Sequence, residues 1–377
     1  MTTYYFVQPL DVLMIRGNKS FGDAGQHGEA VMPPWPSLFA GAFRSALLGT
    51  DAARLARFAN GERLPGTLGD VLGTPSAPGS FAIEWVTLAR KSSAANADPA
   101  LPLPADLVAF ADPRELVALQ PVSLSAGSAA AGELPLTALL RAKKRVKPEG
   151  GRWLDGAGLA AHLGGTLPAA TLGNADLYTR ETRLGIALDG GSRTAEDGAL
   201  YTTEAVAFDS QAGFLVGIEG DGGQLPDRGH LRLGGDGKGA TYARCDFSAP
   251  AAPPGIEASG RFRLILATPG IFAGGWLPDR VVRLGDLNFR LQGEGFSARL
   301  TCAAVPRFDI VSGWDLALQQ PKTAQRVAPA GSVYWFDQLE GDAGKLAAWV
   351  AGGLWDDNCD RQRRAEGFNR AWLGTWS

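Results

Sequence analysis

The chain is poor in the residues that build reactive centres, with three cysteines, three histidines and three methionines among 377 residues. Cys245, Cys302 and Cys359 lie far apart with no C-x-x-C pair. That argues against a disulfide framework or a cysteine zinc site, and for a reducing compartment. His27, His162 and His230 form no ligand-like cluster, so metal-assisted hydrolysis has no convergent donor set. No G-x-S-x-G elbow surrounds any serine. No run reaches the roughly 18 apolar residues of a membrane span, and the start, Met-Thr-Thr-Tyr-Tyr-Phe-Val-Gln-Pro, has neither a charged n-region nor an apolar h-region. The expectation is a cytoplasmic protein with no cofactor, no metal and no membrane partner. Excess charge is missing too, since 36 Lys and Arg stand against 39 Asp and Glu, a net of −3. A free-standing nucleic-acid binder usually carries a basic footprint. Such a role here needs local basic clusters, or a groove shared with a partner.

What the chain does have is glycine (50) and proline (24), which with short apolar runs favour many short strands, turns and long loops. Its length suits two domains. The Pro/Ala stretch Ser248–Ser259 predicts their boundary, giving domains 1–250 and 258–377. Tyr4–Ile15 reads as a strand and Arg16–Pro34 as a long glycine-bearing loop. Pro36-Ser37 opens a helix, with Ser37 as its expected N-cap and Arg44 projecting from it. The basic run Arg141, Lys143, Lys144, Arg145 and Lys147 reads as a solvated helix end. Glu181–Tyr201 predicts a strand, a turn with Arg193 and a return strand. Gly213–Glu219 and Arg261–Ala267 read as strands, Phe296–Val305 and Phe308–Trp314 as a strand pair, Ser332–Phe336 as another strand and Asp342–Val350 as a helix.

Leu231–Ala240 stands out. A strand fragment with Leu231 and Leu233 runs into Gly234, Gly235, Gly237 and Gly239, and a second strand, Ala240–Phe247, leaves. Glycine permits φ > 0 and close backbone approach, so the loop reads as bare amides flanked by Arg232 and Lys238, a setting that suits phosphates. It is not a Walker loop: Gly239 follows Lys238 where Ser or Thr would be needed, and no glycine sits five positions before Gly237. A glycine-rich hairpin turning at Asp236-Gly237 explains the same residues equally well.

Three basic groups fall on glycine- or proline-rich segments: Arg16, Lys19 and Arg44; Arg232 and Lys238; Lys322 and Arg326. Together they point to phosphate contact. Seven of the ten tryptophans fall at or after Trp276. Core burial accounts for most of them, leaving Trp276, on its own glycine-rich loop, as a candidate base-stacking platform. RNA cleavage without metal would need a general base, and His27 is the one candidate. A solvated loop histidine explains it better.

Several blocks, in order along nearly the whole chain, resemble one family. They are Pro9-Leu10-Asp11-Val12-Leu13 with Arg16, Pro33–Arg44 (Pro-Pro-Trp-Pro-Ser-Leu-Phe-Ala-Gly-Ala-Phe-Arg), Arg183–Ile186, Ala199–Tyr201, Leu233–Gly237, Gly274–Pro278, Ser312–Asp315 and Pro329–Trp335. The sequence is similar to the third subunit of the type III-B CRISPR effector (Cmr) complex, in the repeat-associated mysterious protein (RAMP) superfamily. The resemblance implies an α+β chain of two ferredoxin-like (RRM-like) domains with long β-rich and loop insertions. It makes the glycine loop an RNA-facing G-loop, in a non-catalytic subunit that holds the 5′ handle of the CRISPR RNA. The partners it implies are that RNA, the large palm-domain subunit and neighbouring RAMP backbone subunits. On this reading Arg16, Lys19, Arg44, Arg232, Gly234, Gly235, Gly237, Lys238, Gly239, Trp276, Lys322 and Arg326 are the RNA-binding residues. Two alternatives stay open from the residues: a metal-independent repeat-processing endoribonuclease of the same superfamily, and a Gly- and Trp-rich carbohydrate binder.

Overall fold

A computed structural model describes residues 2–17, 27–93, 95–111, 114–124, 132–140, 147–315 and 318–377. Lys19 and most of the basic run (141–146) lie outside the described residues. Two compact units form: Met1–Ala97 with Asn174–Asp246 and Ile310–Ala324, and Asp98–Gly173 with Phe247–Asp309 and Gln325–Ser377. The chain therefore passes between the units several times, where a single boundary at 250–258 is expected from composition. Composition marks an exposed Pro/Ala stretch but carries no record of which distant segments pack together.

In the first unit, the elements are β1 (Thr3–Pro9), α1 (Pro36–Leu48), β2 (Ala82–Lys91), β3 (Tyr178–Leu188), β4 (Ala195–Phe208), β5 (Ala212–Glu219), β6 (Arg228–Arg232) and β7 (Gly239–Arg244). Five of the strands lie in the order β2-β5-β1-β7-β6, each neighbouring pair antiparallel. Tyr5, Phe6 and Val7 are buried in succession, as a central strand covered on both faces requires. Helix α1 packs on this sheet through Phe39 and Phe43, both fully buried. The Phe39 ring lies 4.9 Å from that of Phe214, and the Phe43 ring lies 5.3 Å from Tyr242 and 5.8 Å from Tyr5. Burial of such rings contributes about 1.5–3 kcal/mol each.

The start of α1 differs from expectation. Trp35, extended and without a side-chain cap bond, is the N-cap, and Ser37 falls inside the first turn. Pro36 explains the shift, because its fixed φ and missing N–H suit the first helical position. The helix ends at Gly49, whose left-handed φ of +69° lets its N–H reach the Ser45 and Ala46 carbonyls. Strands β3 and β4 form the expected long hairpin, with Arg193 at φ +55° in its turn.

The second unit is built on β8 (Phe262–Leu266), β9 (Val281–Gly285), β10 (Asn288–Gly293), β11 (Phe296–Ala304), β12 (Val333–Gly341), α2 (Ala343–Ala351) and β13 (Ala371–Gly374). Its sheet runs β9-β10-β11-β12-β8-β13, antiparallel throughout. The rings of Phe262 and Phe336 stack at 4.8 Å in its core. Helix α2 is capped by the Asp342 carboxylate, which accepts the Gly344 and Lys345 N–H groups, and it buries Leu346 and Val350. Strand β11 pairs with β10 and β12. Residues 308–314 are not its partner, since Pro306 lacks the N–H that would carry the ladder on. Ahead of the basic run, Thr137–Leu139 is a strand and not the expected helix.

Within this unit Arg263 is buried and donates from Nη1 to Asp106 Oδ2 (2.5 Å), from Nη2 to the His162 carbonyl (2.5 Å) and from Nε to the Thr375 carbonyl (3.1 Å). His162 Nε2 lies 3.0 Å from Asp106 Oδ1. Burial alone would raise the Asp106 carboxyl, but His162 and Arg263 outweigh it and hold the group below its ordinary value. Among the described residues, no helix is long and apolar enough to cross a membrane.

Candidate nucleic-acid interface

The glycine stretch joins β6 to β7 as a tight hairpin. Asp236 (φ +56°) and Gly237 (φ +63°) are both left-handed, and the Lys238 N–H closes the turn on the Gly235 carbonyl at 3.3 Å. Two positive φ values in succession define a type I′ turn, which matches strand twist and selects Asp-Gly. The loop is less bare than its glycines suggest. Gly235 donates to the Met14 carbonyl at 2.8 Å, and Leu233 donates to the Lys238 carbonyl at 2.8 Å. The Gly239 carbonyl accepts the Leu10 N–H at 3.0 Å. Among the described residues, the amides of Gly234, Asp236 and Gly237 make no hydrogen bond. The expected string of open amides thus shrinks to these three, because the hairpin is tied to the segment after β1.

The flanking cations differ. Lys238 Nζ lies 2.8 Å from Asp11 Oδ2 and is only 22% exposed. That hydrogen bond holds the Asp11 carboxyl below its usual range. Arg232 is exposed and has no ion-pair partner among the described residues. It ends the edge strand β6, on which Arg228, His230 and Arg232 alternate to the exposed face while Leu231 is buried behind them.

Beside β6 runs a groove of about 1260 Å³, walled by α1 on one side and by the hairpin on the other. Its rim holds Arg16, Arg54, His230, Arg232, Lys322 and Trp314, and among the described residues no Asp or Glu lines it. A groove with several cations and no carboxylate concentrates positive potential although the whole chain is slightly acidic. The structure thus gathers Arg16, Arg232, Gly234, Gly235 and Lys322 in one place. Arg54 and Trp314 join them without having been singled out as binding residues. Trp314 follows Gly313 in a Ser-Gly-Trp-Asp block, and an aromatic on a polar turn is the one sequence signal that pointed to it.

Other expected residues sit elsewhere. Arg44 is half-buried on α1, its guanidinium 5.5 Å from the Phe81 ring centre, and does not line the groove. Trp276 and Arg326 belong to the second unit. The Trp276 ring packs against that unit's core, 6.4 Å from Phe289, and its carbonyl accepts the Tyr334 hydroxyl at 2.6 Å. The exposed Arg326 guanidinium lies 4.9 Å from the Phe308 ring. The His27 side chain and Lys19 lie outside the described residues. Among the described residues, no three His, Cys, Asp or Glu side chains cluster for a metal.

The comparisons agree with this architecture. A family model for CRISPR-associated proteins, Cas_Cmr3, matches residues 5–376, and the chain belongs to that family. It covers 98% of its length against 96% of a chain from the cryo-EM structure of the Type III-B Cmr-beta bound to cognate target RNA, with a TM-score of 0.52 at 12% identity. A second chain, from that complex with target RNA and AMPPnP in state 1, aligns with a TM-score of 0.49 at 13% identity, covering 96% of this chain and 93% of that one. No curated protein matches the sequence.

Proposed function

We propose that this subunit seats the 5′ handle of the CRISPR RNA in the cationic groove beside β6 and performs no chemistry on it. It would act in the cytoplasm within a ribonucleoprotein whose other contacts are the large palm-domain subunit and neighbouring RAMP subunits. The carrying observation is the groove that brings Arg16, Arg232 and Lys322 together with no carboxylate among its described walls. Such a site attracts a phosphate backbone without needing a basic protein, and adjoining subunits would supply the rest of the charge.

The two units fit the ferredoxin-like reading in a reduced form. The strand orders β2-β5-β1-β7 and β11-β12-β8-β13 are those of a βαββαβ unit. The first unit keeps its first helix, α1, and has β6 where the second would be. The second unit keeps its second helix, α2, and has β9 and β10 in place of the first.

The test is handle binding by the assembled effector carrying Arg16→Ala, Arg232→Ala and Lys322→Ala together. Each phosphate contact on a single strand contributes about 0.7 to the log–log salt slope, so the triple variant should flatten it by about 2 and weaken binding at low salt. Wild-type affinity and slope would remove the groove from the RNA path. Cleavage of repeat RNA by the pure chain would contradict the non-catalytic role.

A further inference from the structure

Trp314 presents a half-exposed ring at the groove. Its indole is 54% exposed, and among the described residues it has no stacking partner. Leaving so large an apolar surface in water is unfavourable, and the ring borders a groove otherwise marked by cations. The backbone beneath it is fixed. Trp314 pairs in register with Pro321, the Ser312 hydroxyl donates to the Lys322 carbonyl at 2.7 Å, and the Lys322 N–H donates to the Gly313 carbonyl at 2.9 Å. These bonds fix the Trp314 backbone against residues 321–322, and Trp314 and Lys322 line the same groove.

We infer that Trp314 is the stacking platform for one unpaired base of the bound RNA, and that it selects a single strand over a duplex at that nucleotide. The inference rests on reading the groove as an RNA seat. A base inside a duplex has both faces covered by its neighbours, whereas a splayed base offers a face to an aromatic ring. Arg232 and Lys322, on the same groove, suit the phosphates on either side of that base, so ring and cations act on one nucleotide step.

The test moves one abasic nucleotide along the handle RNA and measures binding by the assembled effector carrying wild-type, Trp314→Ala or Trp314→Phe chains. Stacking on an aromatic ring corresponds to about a five- to hundredfold change in affinity. Wild type should show a loss of that size at one position only. Trp314→Ala should bind intact RNA weakly and show no positional dip, and Trp314→Phe should keep both affinity and dip. A dip that persists in Trp314→Ala, or unchanged binding of intact RNA by that variant, overturns the platform. So does a Trp314→Ala chain that fails to assemble yet binds RNA normally by itself, since the ring would then face a protein. Arg232→Ala on intact RNA separates the two readings. Weakened binding there with an unaffected Trp314→Ala leaves the RNA seat standing and sinks only the platform, while no effect of either sinks both.

Discussion

A graded alanine series through the β6–β7 hairpin tests whether its backbone geometry has been read correctly. Gly234 has φ +82°, and a Cβ there would lie 2.8 Å from the Met14 carbonyl oxygen, the acceptor of the Gly235 N–H. Gly234→Ala brings about 1–2 kcal/mol for a left-handed L-residue. Displacing Met14 adds about 0.5–1.5 kcal/mol for the disturbed hydrogen bond. Alanine's lower entropy in the unfolded chain offsets about 0.4–1 kcal/mol, leaving a net cost of about 2 kcal/mol. Gly237, at φ +63° but with nothing within 4 Å of an added Cβ, meets only the first and last of these effects, so its net cost is about 1 kcal/mol or less. At Gly235 the φ is ordinary and the added Cβ would sit 3.4 Å from Met14 O, so the change should be near neutral. Denaturant midpoints of the first unit, together with hydrogen exchange of the peptides holding Met14 and Gly235, give the order directly. Gly235→Ala as damaging as Gly234→Ala, or a neutral Gly234→Ala, would refute the tie to Met14.

Two further outcomes concern charge. Asp11→Asn releases Lys238 from its 2.8 Å ion pair, so handle affinity should rise severalfold at low salt and the salt slope steepen by about 0.7; an unchanged slope would separate Lys238 from the RNA path. Asp106→Asn leaves the buried Arg263 guanidinium without its counter-charge and should destabilise the second unit by about 3–5 kcal/mol at neutral pH. The Asp106 carboxyl is held below its ordinary value of 3.8 in the folded chain, so its contribution is full above that pH and lost as pH falls through the folded value. Acid titration of unfolding should therefore lose part of its low-pH limb in Asp106→Asn, and an identical limb would contradict the assignment.

Local chemistry was legible wherever a few neighbours decide the outcome. Asp236-Gly237 dictates its turn, Pro36 opens α1, Asp342 caps α2, and the apolar run in Gly213–Glu219 gives β5. Errors arose where the choice lies between distant partners. Ser37 yielded the cap to Trp35, two residues earlier, and residues 308–314 did not join β11. The site follows the same division. Arg16, Arg232 and Lys322 were visible as cations on loops, but Arg44 settles over Phe81 and Lys238 over Asp11, pairings that no spacing rule exposes.

The sequence by itself determined the family, the strand-rich α+β character and the glycine hairpin, because blocks of adjacent residues specify dihedral angles and caps. Tertiary structure alone decided that residues 16, 232 and 322 share one groove, that the Leu233, Gly235 and Lys238 amides of the loop are already engaged, and that Trp314 rather than Trp276 presents its ring to that groove. Each of those outcomes depends on strand pairing across hundreds of residues, which fixes the side chains that reach water and those that meet one another.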